Sequence, residues 1–280
     1  MPPPPSLPWI FICPSSRGIG RALTRRLLAT TTLPVLATTR SGDTAAAKAA
    51  LLDGLDGLDG LAPDDFRRLT VVRCDVGDEA SVREAARVAA TLFPPATHHL
   101  HLGCAVAGVL HAEKAPAGVD AELALESFRV NAVGPLVLAK HFFALLPRRA
   151  TTVCAADASS LGALAPAHAT WLAMAARVGS TTDNRAGGWF SYRASKAAVI
   201  SLARSLDLFL AARSGRRALA VAYHPGSVRT DLSRDFWAGV APGKLFSPEY
   251  AAERLVDVVG RMRVEQRGRC WDWKGDEVPP

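Results

Sequence analysis

The 280-residue chain has few cysteines, no long apolar run and no dense block of charge, and each shortage argues against a class of function. Its five cysteines (Cys13, Cys74, Cys104, Cys154, Cys270) are isolated and form no CxxC pair. An odd, scattered set fits a reducing compartment rather than a secreted disulfide scaffold. His98, His99 and His101 lie close together but lack cysteine or carboxylate companions at ligand spacing, so no metal site is expected. No stretch reaches the ~18 uncharged apolar residues of a membrane span; the run from Ala132 to Leu146 is broken by Lys140 and His141. The net charge of +7 invites a nucleic-acid reading. Against it, no run of five basic residues occurs and no basic stretch is interleaved with aromatics. The arginines read as a solvated surface and, in part, as a site for an anionic ligand. The N-terminal prolines and Leu7 to Cys13 do not have the proportions of a signal peptide. A soluble, cytoplasmic protein without nucleic-acid or membrane partners is expected.

What is present is the composition of a packed protein, 49% hydrophobic and 21% charged. Trp9 to Cys13 is a short apolar run ended by Pro14 and reads as a buried strand. A helical stripe follows over Gly18 to Thr30, then strand-like runs at Val35 to Thr39 and Leu69 to Cys74. Asp78 marks a helix start, with the helix reaching about Phe93. Leu100 to Ala107 is a fourth strand, followed by helices near 121–128 and 132–146. The second half repeats the rhythm: strand 170–175, helix 192–212, strand 218–224, and a helix from Ser247-Pro248 to Met262. Near-continuous apolar strands alternating with helices predict an α/β fold: a doubly wound, Rossmann-type parallel sheet with helices on both faces. No domain boundary is visible, so residues 1–280 are expected to form a single domain. Loop insertions are expected near 51–61, where Leu-Asp-Gly repeats, and over 150–168.

The first strand runs into Cys13-Pro14-Ser15-Ser16-Arg17-Gly18-Ile19-Gly20 and then a helix. Such a turn lets backbone N–H groups and the helix dipole meet a pyrophosphate. Cys74-Asp75-Val76 ends the third strand with a carboxylate placed to bond an adenine amino group, and Gly108 ends the fourth, where a cofactor could approach closely. In Tyr192-Arg193-Ala194-Ser195-Lys196, a spacing of four puts phenol and ammonium on one helix face. An ammonium beside a phenol is expected to lower its pKa toward neutrality and make Tyr192 a usable general acid.

With these motifs the chain resembles the short-chain dehydrogenase/reductase family over nearly its whole length. The glycine turn is similar to the family's TGxxxGIG at Gly18, Ile19 and Gly20, and YxxxK is Tyr192/Lys196. Asn131 matches the family's helix asparagine, which supports a water relay to the lysine. Tyr223 to Thr230 resembles the PG segment that closes over the nicotinamide, which brings in Pro225, Gly226, Val228 and Thr230. Arg177 to Ser180, Asp183 to Arg185 and Trp271 to Gly275 look like the carbonyl-reductase-like branch related to the bacterial C-factor. The resemblance implies reduction of a small-molecule carbonyl, or oxidation of the alcohol, with Tyr192, Lys196 and Asn131 as the catalytic set. It also implies a homodimer or homotetramer through the helices that start near 132 and 192.

The chain departs from the pattern at three places. The family's first Thr-Gly is Cys13-Pro14, where proline removes an N–H. Its Asn-Asn-Ala-Gly is Ala105-Val106-Ala107-Gly108. Its catalytic serine, three residues before a glycine, falls on Ala176. Ser159-Ser160 in a similar local context lies too far before Tyr192, and Ser180 reads first as a turn hydroxyl bonding backbone. These losses support an alternative: a catalytically weak or inactive cofactor-binding scaffold or sensor. For the cofactor itself, readers of NAD place an acid near the end of the second strand. Here Thr38-Thr39-Arg40 stands there, with Ser16 and Arg17 in the turn. Two guanidiniums and no carboxylate suit a 2′-phosphate, so NADP(H) is the expected cofactor.

Overall fold

A computed structural model describes residues 5–55, 63–152 and 158–280. In chain order the elements are β1 (Leu7–Cys13), α1 (Gly18–Thr30), β2 (Val35–Thr39), α2 (Thr44–Leu52), β3 (Leu69–Arg73), α3 (Glu79–Leu92) and β4 (His98–Ala105). Then come α4 (Ala121–Phe128), α5 (Gly134–Phe142), α6 (Ala158–Leu161), β5 (Ala169–Met174), α7 (Phe190–Ser214), β6 (Ala218–His224) and β7 (Ser227–Val228). The chain closes with β8 (Leu245–Phe246), α8 (Pro248–Gly260), β9 (Cys270–Asp272) and β10 (Glu277–Val278).

Eight strands form one sheet in the order β10-β9-β6-β5-β4-β1-β2-β3, parallel except for the β10–β9 edge pair, and β7 pairs with β8 separately. The winding reverses between β1 and β4, so the crevice at the carboxyl ends of these strands is the natural ligand site of such a sheet. The expected doubly wound α/β fold is therefore present.

The two-residue period of β1 divides the core. Ile10 and Ile12 face a layer built with Leu23, Leu27 and Leu28 of α1 and Leu255, Val256 and Val259 of α8. Trp9 and Phe11 face the other layer, with Val82 and Ala89 of α3, Leu138 and Phe142 of α5 and Leu210 of α7. There Phe11 stacks on Phe142 at 4.0 Å and Trp9 on Phe93 at 4.6 Å. Each such side chain contributes about 1.5–3 kcal/mol of burial, and this fixes both faces of the strand that carries the glycine turn.

Several expectations need correction. α2, for which no element was expected, is capped by the Asp43 carboxylate on the Ala46 N–H and runs into the stretch expected as a loop from 51, where Leu51 and Leu55 are buried; residues 56–62 lie outside the described residues, as does Cys154. The stretch before β5 is not wholly surface: Leu161, Leu164 and Ala165 are buried, the two leucines in the core layer that α8 helps to form. The helix expected over 132–146 is shorter. A π turn at Arg129–Val133 precedes α5 and a 3-10 turn at Phe143–Leu145 follows it.

Candidate active site

The glycine turn is held from below by Ser15. Its N–H donates to the Thr38 carbonyl (2.8 Å), its hydroxyl donates to the Ile12 carbonyl (3.0 Å), and Thr38 N–H donates to the hydroxyl (3.3 Å). These bonds tie the ends of β1 and β2 together, and the Cys13–Pro14 peptide is cis. Two glycines are required. Gly18 has φ +53°, and a methyl group on Gly20 would lie 1.9 Å from the Pro14 carbonyl oxygen. Ile19 packs toward the core and Ser16 is exposed.

The start of α1 has no side-chain cap and no acid in its first turn, which leaves its N–H groups and dipole open to an anion. Arg17 and Arg40 are exposed, and neither guanidinium bonds a protein group among the described residues. Asp75 is half-buried and accepts the Gly77 N–H at 2.9 Å, while Val76 packs on Gly134.

Tyr192 and Lys196 sit in the first two turns of α7, both buried. The Lys196 ammonium lies 5.8 Å from the Tyr192 ring centroid and donates to the Met174 carbonyl at 2.7 Å. Burial pulls the lysine down to about 8 and pushes the phenol up to about 12. The expected acidification of Tyr192 is thus not what this geometry gives. With Nζ directed at a carbonyl, desolvation dominates and holds the phenol protonated at neutral pH.

Asn131 is fully buried in the π turn. Its Oδ1 accepts the Val109 N–H (2.8 Å), and its Nδ2 donates to the Val109 carbonyl (2.9 Å) and to Ser195 Oγ (3.0 Å). Ser195 in turn donates to the Tyr192 carbonyl at 2.8 Å. The Asn131 side chain therefore pins the loop after β4 to α7. Gly108 in that loop faces the Asn131 amide and the Lys196 ammonium.

Ala176 follows β5, buried, and its carbonyl accepts the Gly179 N–H at 2.9 Å, while Gly179 packs on the Lys196 backbone. No hydroxyl stands at this position. Ser180 Oγ donates to the Pro280 carbonyl (3.3 Å) and accepts the Asp183 N–H (3.0 Å), the bonding of a turn hydroxyl. Ser160 belongs to α6, where its carbonyl accepts Thr32 N–H just past the end of α1; the Ser159 side chain lies outside the described residues.

Pro225 and Gly226 lead into β7. Val228 is buried, and the Thr230 methyl packs against Gly18. A reciprocal cap between Thr230 and Ser233 starts a 3-10 segment, Asp231–Gly239, that buries none of its residues. Phe236 of that segment lies 4.8 Å from Trp189, whose ring meets Tyr192 edge-on at 6.0 Å. Trp189, Phe236 and the buried Glu113 were not expected at the site. Trp189 has φ +50°, a conformation that no local sequence signal announces. Among the described residues no helix is long and apolar enough to cross a membrane, and no three metal-ligating side chains converge.

No family model matches the chain. It is 31% identical over 179 residues to C-signal of Myxococcus xanthus, covering 64% of this chain and 85% of that one. It is 40% identical over 97 residues to 1-hydroxy-2-glutathionyl-2-methyl-3-butene dehydrogenase of Rhodococcus sp. strain AD45; that match covers 33% of this chain and spans only 38% of the dehydrogenase. In fold it resembles the NADPH-bound carbonyl reductase from chicken fatty liver, with a TM-score of 0.77 at 22% identity over 98% of this chain and 100% of that one.

Proposed function

The chain belongs to the short-chain dehydrogenase/reductase family, and from that membership we propose that it is an NADPH-dependent oxidoreductase that reduces the carbonyl of an aldehyde or ketone. The observation that carries the reading is the pairing of buried Tyr192 and Lys196 on α7, next to Gly108 in the loop that follows β4. NADP(H) fits the residues present. The uncapped start of α1 suits the pyrophosphate, and the free guanidiniums of Arg17 and Arg40 suit the 2′-phosphate. The bonds of Asp75 to its own turn leave its other oxygen for the adenine edge.

The hydride comes from NADPH when it is bound. Tyr192 holds a proton well above neutral pH and releases it to the carbonyl oxygen as charge grows there. Lys196, an ammonium below about pH 8, supplies positive charge beneath the phenol. Asn131 keeps the helix and the loop after β4 in register through Val109 and Ser195. The Trp189 ring, itself against Phe236, lies edge-on to Tyr192 and would border the substrate.

NADPH oxidation against a panel of aldehydes, ketones and quinones tests the proposal, with turnover of at least one carbonyl as the expected result. One observation favours a second reading. Ala176 leaves the substrate oxygen without a serine hydroxyl, as suits a weakly active or inactive NADP(H)-binding scaffold. A homodimer is also proposed, through the apolar groove between α5 and α7 lined by Leu136, Phe143, Leu206 and Phe209; sedimentation at equilibrium tests it.

A further inference from the structure

The described helices divide by how their N-termini are satisfied. α2, α3, α4 and α8 are capped by their own Asp43, Asp78, Asp120 and Ser247. The 25-residue α7, which carries Tyr192 and Lys196, has no side-chain cap from Trp189 and no acid in its first turn. Its negative partner comes from elsewhere. Glu113, in the loop between β4 and α4, is 7% exposed, and its Oε1 accepts both the Ser191 hydroxyl and, at 3.4 Å, the Ser191 N–H. The Glu113 backbone carbonyl accepts the Trp189 N–H at 2.6 Å. One residue thus grips both 189 and 191, the positions that set the entry angle and phase of the helix at Tyr192. Ser191 Oγ also reaches Ser127 Oγ of α4 at 3.4 Å, so the grip is anchored in a second helix.

Stability alone is a poor reason for this arrangement. Glu113 Oε2 is buried without a donor among the described residues, and an unsatisfied buried acceptor costs about as much as a cap returns. A local Ser or Asp before Phe190 would cap α7 without that cost. What the distant carboxylate adds is a tie between the loop after β4 and the residue next to Tyr192, at a backbone that Trp189 holds in the left-handed region.

We propose that Glu113 is a positioning residue for Tyr192, acting through Ser191 as a cap supplied to the catalytic helix from a loop distant in sequence; the catalytic part of this inference rests on the function proposed above. In Glu113→Ala, kcat for the best carbonyl of the panel falls at least tenfold while the NADPH Kd stays within twofold. Glu113→Gln keeps an acceptor for Ser191 and recovers part of the loss. Ser191→Ala resembles Glu113→Ala, and the double variant is no worse than either single one, because both remove the same link. Hydrogen exchange supplies a readout that needs no turnover. The Ser191 amide exchanges at least tenfold faster in Glu113→Ala, while the Trp189 amide, bonded to the retained backbone carbonyl, keeps its protection. The inference is overturned if Ser191 exchange or kcat stays within twofold of wild type. It is equally overturned if kcat and NADPH affinity fall together, since Glu113 would then be a general structural residue. A wild-type protein with no turnover refutes the proposed function, and the exchange experiment still decides whether the clamp exists.

Discussion

Substituting Ala176→Ser places a hydroxyl at the position that the sequence resemblance assigns to the family's serine. Ala176 is buried two residues past β5, its carbonyl already engaged by Gly179, and the turn that follows packs on the Lys196 backbone. A new Oγ there is thus confined between β5 and α7. One preorganised donor to an oxygen that gains charge is worth about 3 kcal/mol, or ~10²–10³ in rate. Part of this is lost because the pocket was not shaped around the hydroxyl, so the expected rise in kcat is tenfold or more. NADPH affinity should change little, because only the transition state carries the charge that the hydroxyl stabilises. Steady-state NADPH oxidation with the best carbonyl substrate measures the gain, and Tyr192→Phe in the same background should abolish it. The reasoning is refuted if Ala176→Ser adds nothing while Ser180→Ala destroys activity. Ser180 would then have left its bonds to Pro280 and Asp183 to serve as the donor.

Other outcomes follow from the same geometry. With free guanidiniums at Arg17 and Arg40, NADPH should bind at least tenfold tighter than NADH, at ~1.5–3 kcal/mol per charge-assisted bond; calorimetry that finds equal affinities, or an unchanged preference in Arg40→Ala, removes the argument. A buried chain runs from the Ser6 hydroxyl through His99 and His101 to the Ala165 carbonyl, and burial holds the two imidazoles down at about 4 and about 3. The unfolded chain binds these protons near pH 6.5, so stability is full above that pH. It declines as the pH falls toward the folded values, by at most ~3 kcal/mol per unit for the pair. Urea midpoints between pH 7.5 and 5 measure this slope, which a His99→Phe/His101→Leu variant should flatten; an unchanged slope in that variant would count against the assignment.

The strands and most helices were legible because each central strand is buried on both faces and each covering helix on one. Trp9 to Cys13 and Ala218 to His224 therefore stand out as apolar runs. α2 was not legible: its alanine-rich sequence shows no stripe, and Leu51 is its only buried residue. Leu161 and Leu164 are short-range indistinguishable from loop residues and are buried by contacts with distant parts of the chain. At the site, residue types and spacing pointed to Tyr192, Lys196 and the glycine turn, and the family resemblance pointed to Asn131. Their states depend on partners far away in sequence. Burial pushes the Tyr192 phenol up, Lys196 donates to the Met174 carbonyl, and the Asn131 amide is taken by Val109 and Ser195. Glu113 gave no local signal, because its meaning lies in Trp189 and Ser191.

The central claim is that Tyr192 delivers the proton in an NADPH-linked carbonyl reduction, and the direct test is wild type against Tyr192→Phe on the best substrate of the panel. General acid catalysis of this kind contributes about 10²–10⁴ in rate. The expected result is a loss of kcat of at least a hundredfold in Tyr192→Phe, with NADPH bound within twofold of wild type. Equal turnover by the two proteins would contradict the claim, and so would tight NADPH binding by a wild-type protein that reduces no carbonyl in the panel.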